Sequence, residues 1–326
     1  MGDSHMLDEL DLRLVHALQL DGRAPFSRLA DVLGVSDQTV ARRYRRLHAD
    51  FGMRVLALPE QELLGRTRWA LRLRSTPEAA ESLAKALARR ADTAWISLMA
   101  GGTEVMCVTR SRSHDEHDAL LLGRLPRTPS IVEIGAHSIL HTFYGGALGW
   151  FAKREALTAQ EADALRLPPP DLPEPGTVVL DAADEALFAA LARDGRATYP
   201  ELHRATGLSE SAVKRRLEQL RGSGVLYTDV QLDTAWIGHG TRAVFWITAA
   251  PAELHSVGTA LAAHRQTAFV AATTGSSNIV AIVICRDTAE MYRYLSEQVG
   301  ALEGVRHVET VPYLRLVKQI TTEGIH

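Results

Sequence analysis

Two stretches of the chain decide its fold: Leu7–Leu47, LDELDLRLVHALQLDGRAPFSRLADVLGVSDQTVARRYRRL, and Leu180–Leu220, LDAADEALFAALARDGRATYPELHRATGLSESAVKRRLEQL. They align without a gap at an offset of 173 residues, and 17 of the 41 positions are identical. Unrelated stretches of ordinary composition would share roughly three identities. We infer that one ancestral unit was duplicated, and weaker similarity downstream extends each copy to about 140 residues.

Each stretch has the pattern of three short helices. In the first copy, apolar residues at helical spacing stop at Asp21-Gly22, a second helix spans Ser27 to Leu33, and a third runs to about Ala49. Gly34 supplies a tight turn, and Ser36 can cap the third helix. A glycine turn before the last helix is typical of the helix-turn-helix arrangement, in which that helix enters the major groove of DNA.

The third helix of each copy combines an apolar stripe with a cationic face. Arginine donates two hydrogen bonds to guanine, glutamine pairs with adenine, and serine or threonine anchors phosphate or base. A lone arginine-rich helix face is more often merely solvated, but two copies behind the same kind of turn favour DNA contact. The predicted DNA-binding residues are Ser36, Gln38, Thr39, Arg42, Arg43, Arg45, Arg46, Ser209, Ser211, Lys214, Arg215 and Arg216. Bracing of the fold is the alternative role for Arg43 and Arg216.

The two cationic helices differ at the positions that would face DNA. In the first copy these positions hold Gln38, Thr39, Arg45 and Arg46, and in the second they hold Ser211, Ala212, Glu218 and Gln219. We therefore predict that the two helices read unlike half-sites, and that the first module makes the stronger electrostatic contact with DNA.

Downstream of each helical stretch, strand-like runs alternate with helical periods. In the second copy, the apolar link Leu226 to Leu232 precedes the order strand, helix, strand, strand, helix, strand between Thr241 and Lys318. This order favours a ferredoxin-like βαββαβ module. The predicted fold class is therefore α+β, with a winged or three-helix helix-turn-helix domain and a ferredoxin-like module, both repeated twice.

An insertion separates the two copies. Thr158 and Glu161 have capping-box spacing and predict a short helix, and the proline-rich run from Pro168 to Gly176 predicts an extended, stiff spacer. The predicted segments are a cloning scar at 1–6, helix-turn-helix domains at 7–60 and 178–232, ferredoxin-like effector and dimerisation domains at 65–143 and 238–320, and a linker at 144–177.

These residues resemble the Lrp/AsnC family of transcriptional regulators. The resemblance is carried by Leu180-Asp181-x-x-Asp184, Asp194-Gly195-Arg196-Ala197 and Gly207-Leu208-Ser209-x-x-x-Val213-x-x-Arg216-Leu217-x-x-Leu220, together with the downstream module and its glycine turn. It implies a DNA-binding front and a regulatory back that dimerises and binds small effectors, often amino acids, near that turn. The effector-binding residues that it implies are Met99, Gly101, Gly102, Thr103, Glu104, Thr273, Gly275, Ser276, Ser277 and Asn278.

The chain departs from the family pattern in two ways. Family members usually carry an aspartate in the glycine turn, where this chain has Glu104 and Asn278. They also usually carry one unit, so two units in one chain look like a fused dimer. The expected partners are double-stranded DNA, a small-molecule effector and further copies of the chain, with a dimer favoured. An effector that prefers one spacing of the two reading helices would change DNA affinity by population shift.

Two other functions compete with this interpretation. Siroheme decarboxylases resemble the same two-part architecture but carry a His-Asn-Tyr run on the second strand of the back module. The matching stretches here, Ala94–Met99 and Ala268–Thr273, contain no histidine to donate a proton. The second alternative is an architectural protein that coats DNA without an effector, which the sequence does not separate from a regulator.

The amino-acid composition excludes several other classes of protein. Apolar residues make up 46% and charged residues 23% of the 326 residues, which is typical of a folded globular protein. Two cysteines exclude a disulfide scaffold or a cysteine-based zinc site, and with no signal peptide or long apolar run they predict a cytoplasmic location away from membranes. His114, His117 and Asp118 have metal-like spacing, but acidic residues at a helix start explain them. We predict no catalytic residue, metal or cofactor.

Overall fold

A computed structural model describes residues 6–110 and 118–320 of the chain. The described residues form two compact units. The first unit contains the residues up to Gly65 together with Gly146–Ile237, and the second contains those of Arg66–Gly145 and the residues from Gly238 onward. Each unit therefore takes one part from each of the two sequence copies.

The helices and strands follow the predicted α+β order, which confirms the fold class. The helices, in chain order, are α1 (Glu9–Leu20), α2 (Phe26–Leu33), α3 (Asp37–Asp50), α4 (Pro77–Ala88), α5 (Ala159–Leu165), α6 (Ala182–Leu191), α7 (Tyr199–Thr206), α8 (Glu210–Gly222), α9 (Leu254–Ala263) and α10 (Thr288–Arg293). The strands are β1 (Arg54–Pro59), β2 (Trp69–Ser75), β3 (Thr93–Met99), β4 (Glu104–Thr109), β5 (Ile131–Tyr144), β6 (Leu226–Gln231), β7 (Thr241–Ala249), β8 (Thr267–Thr273), β9 (Ile279–Cys285) and β10 (Val305–Lys318). π-helical turns at Ala119–Arg124 and Tyr294–Val299 complete the order.

Local capping sets the bounds of the helices in the two helix-turn-helix modules. Asp8 caps α1 and Asp181 caps α6, and in both capping boxes the aspartate three residues later bonds back to the cap backbone. Gly34 ends α2 and Gly207 ends α7 in left-handed conformation, with φ of 69° and 74°. Glycine adopts this conformation without steric cost, so the chain reverses tightly before the last helix of each module.

A two-stranded ribbon joins the two helix-turn-helix modules within the first unit. Strand β1 pairs with β6 in antiparallel register, from Arg54 opposite Gln231 to Pro59 opposite Leu226. Ala57 of β1 belongs to the buried core of the second module, among Leu187, Leu191, Leu202, Val213 and Leu217. The core of the second module therefore includes a strand residue of the first copy.

The insertion packs onto the first unit. Helix α5 has the predicted capping box between Thr158 and Glu161, and Glu161 accepts a hydrogen bond from Arg13 of α1 at 2.6 Å. The proline-rich spacer is tied down rather than free: the Asp171 N–H donates to the Gly222 carbonyl at 2.8 Å, and the Gly176 N–H donates to the Leu63 carbonyl at 3.1 Å.

The second unit is one closed eight-stranded sheet built from both copies. Its strand order is β10-β3-β4-β2-β5-β8-β9-β7, and β7 pairs back to β10. The long strands β5 and β10 each cross between copies, because β5 pairs with β2 and β8 and β10 pairs with β7 and β3. The predicted modules 65–143 and 238–320 are thus joined into one sheet, since each would otherwise leave unpaired edge strands.

Among its described residues, the second unit contains three hydrophobic clusters. One lies against α4 and contains Leu71, Leu83 and Leu98, and its counterpart in the second copy contains Phe245, Leu261 and Ile279. The third contains residues of both copies, including Ala70, Met99, Met106, Val244, Trp246, Ala271, Val280 and Val311. This shared cluster adds side-chain packing to the strand pairs that join the two copies. In the part of the chain that the structure describes, no helix has the length and apolar character needed to cross a membrane.

We predict that Gly195→Ala destabilises the first unit. A Cβ atom at this position would lie 2.6 Å from the carbonyl carbon of Leu56 and 2.8 Å from the amide nitrogen of Ala57, both of them backbone atoms of β1. Overpacking of this kind costs about 1–3 kcal/mol. Urea unfolding measures the loss.

Gly222→Ala is the matched control. No atom lies within 4 Å of a Cβ at this position, at the end of α8, so the free energy of unfolding should stay constant or rise slightly because alanine favours helix. Equal free energies of unfolding for Gly195→Ala and Gly222→Ala would contradict the prediction, because the close approach of residue 195 to β1 would then not affect stability.

Candidate nucleic-acid interface

Helix α3 presents a cationic face at the surface of the first unit. Its N-terminus is capped by Ser36, whose Oγ accepts a hydrogen bond from the Thr39 N–H at 3.2 Å. Val40 and Leu47 are buried on the opposite side. The predicted DNA-binding residues that are exposed here are Ser36, Gln38, Arg42 and Arg45. This face can meet phosphates and base edges without any unfolding of the module.

Two predicted DNA-binding arginines of α3 are engaged by aspartates of α1. Arg43 donates to Asp8 and, at 3.2 Å, to Asp11, and Arg46 also donates to Asp11. Asp11 is completely buried, and its burial together with the charge of Asp8 raises its pKa. Removing a guanidinium here would leave a buried carboxylate less well paired, which is costly. The structure places Arg43 and Arg46 in a bracing position, and both are half-buried.

Helix α8 presents the corresponding face in the second copy. Ser209 caps it by accepting from the Ala212 N–H at 3.3 Å. Ser211, Lys214 and Arg215 are exposed. The exposed faces of α3 and α8 therefore differ in residue type, as the sequence indicated.

Arg216 occupies the position equivalent to Arg43 and forms a bidentate pair with Asp184. Its Nε donates to one carboxylate oxygen at 2.6 Å and its Nη2 to the other at 2.5 Å, and its Nη1 donates to Gln219 at 2.9 Å. Burial by itself raises the pKa of Asp184, but the hydrogen bonds from Arg216 and from the Asp181 N–H outweigh it, so the net pKa lies below its ordinary value. The alternative role that the sequence suggested for Arg43 and Arg216, bracing, is the one that these contacts describe.

The bracing role of Arg46 was missed by sequence reasoning. The available signal was the pair of capping boxes, because a carboxylate at the third helical position of a capping box can also face a neighbouring helix. Asp11 and Asp184 are both almost fully buried in this way. A helical wheel of α3 alone does not show that Arg46 reaches back to α1.

The first predicted effector turn lies between β3 and β4 in the second unit. Met99 is buried, and Gly101 and Gly102 have left-handed φ values of 68° and 90°. Thr103 donates through Oγ1 to the Ala100 carbonyl at 2.9 Å. These residues form the tight connection that the glycines predicted.

Glu104, at the end of this turn, is buried in an ion-pair network. Arg72 donates to both of its carboxylate oxygens at 2.9–3.0 Å and to both oxygens of Glu309 at 2.8 Å. The guanidinium carbon of Arg72 also lies 5.1 Å from the ring centroid of Trp246. The carboxylate that stands where the family usually has aspartate is therefore already paired with a guanidinium of the protein, which it shares with Glu309.

The second predicted effector turn, between β8 and β9, is fixed by backbone contacts. Thr273 donates through Oγ1 to the Ser277 carbonyl at 3.1 Å. Asn278 pairs with the backbone of Ala249 in both directions, accepting at 2.8 Å and donating at 2.9 Å. Gly275 has φ of 111°, and Ser276 is exposed at the tip. The side chains at both aspartate-equivalent positions thus have partners within the protein.

Potential metal ligands do not cluster among residues 6–110 and 118–320. No group of three or more histidine, cysteine, aspartate or glutamate side chains is arranged there to hold an ion. His114 and His117 lie outside the described residues, so their predicted place at a helix start stays a prediction.

Two cationic helices, each behind a left-handed glycine turn and a serine cap, define a duplicated helix-turn-helix protein. Residues 7–48 and 180–221 match the AsnC-type helix-turn-helix domain, and residues 242–322 match the Lrp/AsnC ligand binding domain. An uncharacterized HTH-type transcriptional regulator of Pyrococcus abyssi is 31% identical over 134 residues, which cover 41% of this chain and 85% of that protein. The chain belongs to the Lrp/AsnC family of transcriptional regulators, in tandem-duplicated form.

The similar regulators are shorter than this chain, whereas one similar solved structure has about the same length. The HTH-type transcriptional regulator FL11 of Pyrococcus furiosus is 29% identical over 145 residues, which cover 95% of FL11 but only 44% of this chain. Among solved structures, the siroheme decarboxylase NirDL has a TM-score of 0.63 at 13% identity, covering 97% of this chain and 94% of that one. At this identity the likeness concerns the fold alone, and it extends over both copies and the insertion.

We predict that Arg216→Gln lowers the free energy of unfolding at pH 7 by about 2–4 kcal/mol, because it leaves the buried carboxylate of Asp184 without its bidentate partner. Urea unfolding as a function of pH measures the effect. The deficit should be full near pH 7 and shrink as the pH falls through the acid range, because without Arg216 burial raises the pKa of Asp184 and its carboxyl takes up a proton at a higher pH than in the wild type.

Arg215→Gln, at the exposed neighbouring position, is the control and should change stability by less than about 0.5 kcal/mol. An equal loss in the two variants, or a deficit for Arg216→Gln that grows at acid pH, would contradict the bracing role.

Proposed function

We propose that one chain binds double-stranded DNA through α3 and α8 together and reads two unlike half-sites. The observation that carries the proposal is that both helices belong to one compact unit and each exposes a cationic face. Arg42 and Arg45 are the charged residues of the first face. Lys214 and Arg215 are those of the second, with Glu218 beside them.

The difference between the faces supports unequal contacts with DNA. Position 45 holds arginine in α3, whereas the aligned position 218 holds glutamate in α8. Arginine attracts a phosphate and can donate to guanine, but glutamate repels phosphate and accepts from cytosine. We therefore assign the stronger electrostatic contact to α3 and a different base preference to α8.

The regulator is favoured over the decarboxylase on the chain's own residues. Strands β3 and β8, which correspond to the strand where the decarboxylases carry a proton donor, read TAWISLM and TAFVAAT. Neither contains histidine. The likeness to NirDL extends over the fold, and these two strands argue against the same chemistry. We propose a protein without catalytic activity.

We further propose that a small molecule modulates DNA binding at the two turns of the second unit, Met99–Glu104 and Thr273–Asn278. The support is the match of residues 242–322, which include the second turn, to a ligand binding domain, and the position of both turns beside the shared core. Because Glu104 is already paired with Arg72, and the Asn278 amide with the backbone of Ala249, we expect the effector to be recognised mainly by backbone and hydroxyl groups of the turns.

The unequal contact is tested by the salt dependence of DNA binding. Arg42→Ala/Arg45→Ala removes two exposed cations from α3, so the slope of log K against log salt should fall by about two, at roughly 0.9 per phosphate contact. Fluorescence anisotropy with a selected genomic fragment at several salt concentrations measures the slope.

The matched variant changes the aligned positions of α8, Arg215→Ala/Glu218→Ala. It removes one cation and one anion, so the slope should fall by about one or less. Equal reductions in the two variants would contradict the asymmetry, and uniform coating of all fragments by the wild-type chain would favour the architectural alternative.

The effector is tested by thermal-shift screening with amino acids and pathway metabolites. A compound that acts at the turns should raise the melting temperature of the wild type and lose its effect in Thr103→Glu/Ser276→Glu, in which both exposed turn residues become anionic. Ser82→Glu on α4 is the control for added charge. Retention of the shift in the turn variant would place the effector elsewhere.

A further inference from the structure

We propose that Arg23 and Arg196 are positioning residues that fix the two recognition helices relative to each other, so that one chain accepts half-sites at a single spacing. The inference rests on the proposed reading of two half-sites. It assigns a role to the repeated Asp-Gly-Arg-Ala turn, which lies outside the predicted DNA-binding surface.

The two arginines form a reciprocal clamp between the modules. Arg23 of the first module donates to the carbonyls of Gly195 and Ala197 in the second, at 2.5 and 2.9 Å. Arg196 of the second module donates to the carbonyls of Gly22 and Ala24 in the first, at 2.6 and 2.9 Å. Each guanidinium thus satisfies two backbone carbonyls of the other module's turn in planar, two-pronged geometry, which lysine does not reproduce.

The clamp reaches a recognition helix directly. The guanidinium carbon of Arg196 lies 4.7 Å from the ring centroid of Phe26 on α2 and 5.4 Å from that of Tyr44 on α3. A cation in this position is attracted by the ring faces. A residue of the second module therefore holds the recognition helix of the first. Arg23 has a similar, more distant contact with Tyr199, at 6.0 Å.

The ribbon β1–β6 holds the same two turns from the other side. The Gly195 N–H donates to the Val55 carbonyl at 2.7 Å, and the Gly22 N–H donates to Thr228 Oγ1 at 3.3 Å. Both turns are therefore bonded to the ribbon and to each other. A change in helix spacing would have to break several of these hydrogen bonds at once and leave buried carbonyls without donors.

If the two recognition helices are held at a fixed spacing, DNA affinity should depend on the distance and rotation between the two half-sites. Each added base pair moves the second half-site by about 3.4 Å and rotates it by about 35°, since a turn contains 10–10.5 base pairs over 34–36 Å. A flexible pair of modules would tolerate such changes, whereas a clamped pair would lose one of its two contacts. If an effector modulates DNA binding as proposed above, the clamp requires that it act by a route other than the spacing of α3 and α8 within one chain, contrary to the population shift expected from the sequence.

The test uses duplexes in which two selected half-sites are separated by spacers that increase one base pair at a time over a full turn. The wild-type chain should bind one spacing at least tenfold more tightly than spacings half a turn away. Arg196→Lys keeps the charge but loses the two-pronged geometry. It should lower the peak affinity about tenfold, change the off-spacing affinities less than threefold, and leave binding to a single half-site within twofold of wild type.

Arg193→Lys, an exposed neighbour, is the control and should keep the wild-type profile. A flat wild-type profile would overturn the proposal, as would an unchanged profile in Arg196→Lys. A loss of single half-site binding in that variant would also overturn it, because the residue would then support one module rather than the spacing of two.

A measurement without DNA separates this proposal from the proposed function. Spin labels at Gln38→Cys and Ser211→Cys report the distance between α3 and α8, and the native Cys107 and Cys285 are buried. We expect one narrow distance distribution in the wild-type background and a broadened one with Arg196→Lys. A broad wild-type distribution would overturn the clamp even if DNA binds. A narrow wild-type distribution in a chain that binds no DNA would support the clamp and contradict the proposed function.

Discussion

Strand pairing between the two sequence copies is the constraint on which the structure depends. In the first unit β1 pairs with β6, and in the second β5 pairs with β8 and β10 with β3. Each of these pairs joins one copy to the other and covers edges that a separate copy would expose. The duplicated chain therefore folds as two units, each of which is built from parts of both copies.

The similar regulators are about half as long as this chain. Strand pairing between the copies explains how two such units fit together in one chain. Duplication supplies both partners of a pair at once, and the insertion between them packs onto the first unit through α5 and the spacer. Because strand pairing fixes the position of each copy in the structure, the two sequences can differ at individual residues. Glu218 opposite Arg45 in the alignment and Asn278 opposite Glu104 are such divergences.

The sequence predicted the parts that local physics determines. Capping aspartates, glycine turns and apolar periodicity gave the helix-turn-helix modules and the strand order. The sequence did not predict which strands pair between the copies, because the strand patterns of the two copies are the same and do not specify the partner of each strand. The same limit applied to Arg46, Arg23 and Arg196, whose partners lie on other helices or in the other copy.

The central claim is that one chain presents two recognition helices to DNA as a single unit. Hydroxyl-radical footprinting on a genomic fragment bound at low protein concentration tests it most directly. The account predicts two protected segments that appear together at the same protein concentration, with different base sequences beneath them. Protection of a single segment, of two segments at separate concentrations, or of none at low ionic strength would contradict it.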